Sequence, residues 1–121
     1  MKTNQIVLFL FLNFWAVNIY SQKQAKKCSK EELIVPESFS PDADGENDVL
    51  YASAFKISEF NFIIFNKWGE KMFETNYQSD GWDGRYKNKD AKEGVYYWYL
   101  IVKCNNGEEL KKQGSTTLVR K

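Results

Sequence analysis

Residues 95–104 read Val-Tyr-Tyr-Trp-Tyr-Leu-Ile-Val-Lys-Cys, and this run decides the fold. On a strand, successive side chains point to opposite faces. Tyr96, Trp98, Leu100, Val102 and Cys104 then share one face, and Val95, Tyr97, Tyr99, Ile101 and Lys103 share the other. The Trp98 face reads as core. The tyrosine face is amphipathic, because its hydroxyls can reach water. Working outward, Phe60–Trp68 (FNFIIFNKW) carries Phe62 and Ile64 on one face and Ile63 and Phe65 on the other. A strand apolar on both faces is central or lies under a covering loop.

The remaining runs are LIVP from Leu33, VLYASAF from Val49, KMFET from Lys71 and STTLVRK from Ser115. They are rich in β-branched and aromatic residues and separated by Gly, Asn, Asp or Pro, which reads as strands and turns. NKWG at 66–69 and NNG at 105–107 are hairpin signals, and DGWDG at 80–84 is a tight corner holding a tryptophan. No helical repeat appears after residue 21. The expected fold is all-β, an antiparallel sandwich of about seven strands.

The chain has 121 residues, room for one domain. Lys2 followed by the apolar run Ile6–Tyr20 describes a signal peptide over residues 1–21, with cleavage expected between Ser21 and Gln22. The run is too short for a membrane span, which needs about 20 residues, so no transmembrane span is expected in the mature chain. Residues 22–32 read as a polar leader and 33–121 as the domain. Without residues 1–21 the chain carries 16 basic and 16 acidic side chains. That balance gives no support to a nucleic acid partner. Histidine is absent, which removes the usual general base and every Ser-His or Cys-His nucleophile. No carboxylate pair sits in a recognisable catalytic motif, and no enzyme is expected.

The motifs along the chain resemble one family. Val35-Pro36 followed by Phe39-Ser40-Pro41-Asp42-Ala43-Asp44-Gly45-Glu46-Asn47-Asp48 resembles the opening VPNAFTPNGDGxND of the gliding-motility-associated C-terminal domain, the type B sorting domain of type IX secretion. Ile64–Glu70 (IFNKWGE, with Trp68 and Gly69), Phe73-Glu74, Gly81-Trp82-Asp83-Gly84, Glu93-Gly94-Val95-Tyr96 and Gly114–Arg120 (GSTTLVR) follow in the family's order. Glu37 and Ser38 depart from its Asn-Ala, and Asp42-Ala43 from its Asn-Gly. The resemblance implies an immunoglobulin-like sandwich that serves as an export address. It would be read by the type IX outer-membrane machinery, with PorP/SprF-type proteins as expected partners, and the product would end secreted or on the cell surface. The few residues between the expected cleavage site and the domain leave no room for a folded cargo. The alternative is a small secreted module that binds a glycan or a protein.

Each motif also has a plainer reading. Asp42, Asp44, Asn47 and Asp48 surround Gly45 with the hard oxygen groups that calcium prefers, yet an Asx-rich turn uses the same residues to satisfy its own backbone. No cofactor is required, and a structural calcium stays open. Trp68, Trp82 and Trp98 could stack sugars, but their positions suggest core or corner packing. Cys28 and Cys104 are the only cysteines, and both a bridge and a buried free Cys104 are open. Arg85, Lys87, Lys89 and Lys92 read as a basic loop, opposite in charge to Glu37–Asp48, so internal pairing or an asymmetric docking face are both open. Recognition is expected on the turns Asp42–Asp48 and Gly81–Gly84 and on the C-terminal strand.

Overall fold

The computed structural model describes residues 26–120; the expected signal peptide lies outside them. Among the described residues there are seven strands: β1 (Ser38–Phe39), β2 (Ile57–Phe65), β3 (Lys71–Thr75), β4 (Arg85–Tyr86), β5 (Lys89–Asp90), β6 (Gly94–Cys104) and β7 (Glu109–Leu118). They form a five-stranded sheet in the order β1-β7-β6-β2-β3 and a two-stranded sheet, β4-β5. The all-β reading with about seven strands in two sheets holds.

The large sheet is built on β6. It pairs antiparallel with β2 from Ile57↔Cys104 to Phe65↔Tyr97, and with β7 from Gly94↔Leu118 to Lys103↔Glu109. The two turns read from the sequence close the β6–β7 hairpin and the hairpin of β2 with the edge strand β3. The Cys104 N–H donates to Glu108 O at 2.8 Å, and the Asn66 N–H to Glu70 O at 2.9 Å. Tyr96, Trp98, Leu100, Val102 and Cys104 are buried on one face of β6, while Val95, Tyr97 and Tyr99 are exposed on the other, as alternation requires. On β2, Phe60, Phe62 and Ile64 are buried while Ile63 and Phe65 are half-buried. The strand is central, with its second face on the sheet's open side.

Three details differ from the expected antiparallel sandwich. First, β1 pairs parallel with β7, Ser38↔Thr117 and Phe39↔Leu118. A parallel pair needs a long crossover, and here nearly the whole domain supplies it. Second, LIVP and VLYASAF do not form ladders. Single bridges, Ile34↔Ser53 and Leu50↔Trp82, join these runs to their neighbours. They still deliver Leu33, Leu50, Ala52 and Ala54 to the core as the opposing layer. Third, the basic loop is the β4–β5 hairpin, with Lys87 and Asn88 both at positive φ (50° and 65°) in its turn.

Cys28 and Cys104 are disulfide-bonded, with Cα atoms 5.8 Å apart. The bond fastens the segment ahead of Leu33, with its 3-10 turn Lys30–Glu32, to the end of β6. Lys112 Nζ adds to this by donating to Leu33 O at 2.7 Å and Lys30 O at 3.1 Å. Among the described residues no helix is long and apolar enough to cross a membrane.

Candidate recognition end of the sandwich

The motif residues gather where β6 begins and β7 ends. Trp82 is 1% exposed and lies between Phe39 and Tyr96, with ring centroids 5.5 and 5.0 Å away. Its indole N–H donates to Arg85 O at 2.9 Å, and the Tyr96 hydroxyl donates to Lys92 O at 2.7 Å. Both polar tips are satisfied, so the rings can be buried without loss. Burial pushes the Tyr96 phenol above its ordinary range, against the nearby Arg120 charge.

Gly81 and Gly84 hold this corner because nothing larger fits. A Cβ at Gly81 would stand 2.5 Å from Val49 Cγ1 and 2.7 Å from Leu50 O, and one at Gly84 2.8 Å from Pro41 Cγ. Gly84 also has φ +77°, a conformation that side chains disfavour. Asp83 is exposed and its Oδ1 accepts from the Arg85 N–H.

Arg120 ties the end together. Its guanidinium donates to Ala91 O (Nε at 3.2 Å and an Nη at 3.0 Å), to Gly84 O at 3.0 Å and to Pro41 O at 3.4 Å. Its backbone N–H donates to Glu93 Oε1 at 2.6 Å. The loop at Pro41 and the two ends of the β4–β5 hairpin are thus held by one side chain. The sequence showed Arg120 only as the last letter of the GSTTLVR motif; nothing local indicated that its partners would be carbonyls of residues 41, 84 and 91. Pro36, just before β1, is exposed, and its carbonyl accepts from Thr116 Oγ1 at 2.9 Å.

The acidic turn leaves this corner from Pro41. Asp48 Oδ1 accepts from the N–H groups of Asp42 (3.1 Å) and Ala43 (2.9 Å), and Oδ2 from Gly45 (2.7 Å). Asp42 Oδ1 accepts from the Asp44 N–H, and Asp44 Oδ1 from Glu46. Ala43, Gly45 and Asn47 take positive φ. Asn47 acts through its carbonyl, which accepts from the Ser40 N–H at 2.8 Å. The plainer reading, an Asx turn satisfying its own backbone, is therefore present in full.

The same turn has room for more. Carboxylate oxygens of Asp42, Asp44 and Asp48 lie within 4.8 Å of one another, and each carboxylate keeps lone pairs beyond those used. The cluster could coordinate a divalent ion. Burial pushes the Asp42 carboxyl up, helped by Asp44 and Asp48 beside it. For Asp48 burial acts in the same direction, but the N–H groups of Gly45 and Ala43, with Asp42, outweigh it and hold the carboxyl low.

The tryptophans divide. Trp82 and Trp98 are core, but Trp68 is 78% exposed, which corrects the expectation of core or corner packing for it. The turn it rides is closed without it: Asn66 Oδ1 accepts from the Trp68 and Glu70 N–H groups, and Gly69 takes φ 82°. Gly94 starts β6 at φ 145°. Among the described residues no ion pair joins the acidic segment 37–48 to Arg85, Lys87, Lys89 or Lys92.

Against known proteins, residues 33–118 match the family model described as the CHU_C type IX secretion signal domain. No curated protein matches the chain. Among solved structures, CopC from Methylosinus trichosporium OB3b is similar at a TM-score of 0.51 and 12% identity. That alignment covers 72% of this chain and 86% of CopC, and the likeness concerns the fold alone.

Proposed function

This chain belongs to the CHU_C type IX secretion signal domain family, and on that premise we propose that the sandwich is the address by which the outer-membrane type IX machinery takes the chain out of the periplasm. The family is a non-catalytic secretion signal, consistent with export to the surface or the medium. The observation that carries the reading is the extent of the match, residues 33–118. It begins at buried Leu33 and ends at buried Leu118, so the whole sandwich is the signal. In this reading residues 1–21 bring the chain to the periplasm, and a PorP/SprF-type outer-membrane protein reads the folded domain there. The glycan alternative keeps only Trp68 of its three stacking residues, since Trp82 and Trp98 are core residues.

The acidic turn beside Pro41 would take calcium, with Asp42, Asp44 and Asp48 as ligands and Asn47 in the same turn. The hard oxygen set supports this choice. The ion would stiffen a turn that already closes on its own hydrogen bonds.

The test is an export assay. A fluorescent protein inserted between Gln22 and Lys26 should reach the medium or the surface in cells with intact type IX machinery. It should stay in the periplasm when that machinery is deleted. Export that ignores the deletion overturns the reading.

A further inference from the structure

On the sorting reading just given, we infer that the groove between the Asn66–Glu70 turn and the β4–β5 hairpin docks an acidic polypeptide segment of the outer-membrane receptor, with Trp68 as the apolar anchor. The motif residues of this end fall into two groups. Phe39, Trp82 and Tyr96 are buried and have a structural reason to be what they are. Trp68 does not: its ring is solvent-exposed and its turn closes without it. Large exposed aromatics that nothing in the fold requires are the residues from which interface hot spots are made.

Two hollows border Trp68. One, about 360 Å³, has an apolar floor that includes Met72, Tyr86, Ala91 and Tyr96. The other, about 190 Å³, runs past Gly94 and Val95. Lys67, Lys87, Lys89 and Lys92 line them. Lys67 Nζ sits 4.6 Å from the Trp68 ring and Lys87 Nζ 5.2 Å from the Tyr86 ring. Among the described residues none of these four ammoniums is paired with a carboxylate. The two acids of the same rim are turned to Arg120: Asp90 reaches its guanidinium at 3.9 Å and Glu93 accepts from its N–H. The rim is therefore positive and unneutralised, around an apolar floor.

That arrangement selects the occupant. An apolar centre within a charged rim is the anatomy of a protein interface, and a row of unpaired lysines calls for carboxylates opposite them. A saccharide would need acceptors for its hydroxyls as well. Here Asn66 Oδ1 and Glu70 Oε1 are engaged in closing the turn and Glu93 Oε1 takes the Arg120 N–H, so the rim offers four unpaired ammoniums against acceptors already partly engaged. The chemistry favours an acidic peptide segment over an anionic polysaccharide.

The experiment uses the full chain with its fluorescent insert, secreted from cells with intact type IX machinery. K87E/K89E/K92E and W68A should each lower the exported fraction at least tenfold, with the melting curve of the purified chain unchanged. K103E/K111E, a double charge reversal at the opposite end of the sheet, should export as the unaltered chain does. A photo-crosslinking Trp68→p-benzoylphenylalanine chain should join to a peptide rich in Asp and Glu, identified by mass spectrometry. Unchanged export of the reversed-charge chain, or adducts only with polysaccharide, overturns the inference and leaves the sorting reading standing. Export of the unaltered chain without type IX machinery overturns the sorting reading itself.

Discussion

Arg120 and Trp68 are opposite cases of a single side chain at the same end of the molecule. Arg120 is largely enclosed and its guanidinium joins the Pro41 loop to both ends of the β4–β5 hairpin. Hydrogen bonds to a charged group contribute about 1.5–3 kcal/mol, and removing this donor strands several carbonyls at once. R120A should therefore lose about 2–3 kcal/mol of unfolding free energy in urea titrations, with R120K recovering only part of it, because an ammonium cannot span the fork. W68A should stay within about 0.5 kcal/mol of the unaltered chain, as surface substitutions do. The pair separates a fold keeper from a residue kept for contact.

The acidic turn is the element whose behaviour depends on solution conditions. Asp48 is held below its ordinary 3.8, so the charged form binds the turn's N–H groups more tightly than the neutral one. Its contribution is present above that value and is lost as pH falls through the lower folded-state pKa. Asp42 runs the other way: its raised pKa gives a contribution present below 3.8 that disappears as pH rises through the folded value. Amide exchange at Ala43 and Gly45 should consequently quicken below about pH 3.8, and D48N should make it quick at neutral pH. Exchange that stays slow in D48N would show that the turn does not rest on Asp48. Calcium binding with a dissociation constant near ~0.1 mM would add about 1.4 kcal/mol at ~1 mM free ion. A rise in melting temperature on adding calcium, reversed by a chelator and missing in D48N, is the expected result, and an identical melting curve in chelator and in calcium would remove the ion from the account.

At the scale of the whole molecule, the Cys28–Cys104 bond joins positions 76 residues apart and so encloses most of the domain. Closing a loop of that length removes unfolded-state entropy worth up to ~4.5 kcal/mol. C28S/C104S should lose up to that amount of unfolding free energy, read as a lower midpoint in urea titrations. The domain buries one modest core, so this is a large share of a typical stability of about 5–15 kcal/mol. An unchanged midpoint would mean that packing around Leu33 and Leu50 suffices alone.

The sequence by itself determined the elements whose information is local. Alternation fixed the faces of Gly94–Cys104, NNG fixed its hairpin with β7, NKWG fixed the hairpin of β2 with β3, and the ordered motifs from Val35 to Arg120 named the family. Each depends on side chains a few residues apart along the chain, or on a pattern read in order. Only the tertiary structure decided the rest. The parallel pairing of Ser38–Phe39 with β7, the meeting of Arg120 with carbonyls of residues 41, 84 and 91, and the bridging of Cys28 to Cys104 in place of a free Cys104 all join segments far apart in the chain. Alternation set Trp98 on the core face, but Trp68 and Trp82 both stood among turn signals. Which of them the core would enclose depended on which backbone folded over it, and no spacing along the chain records that.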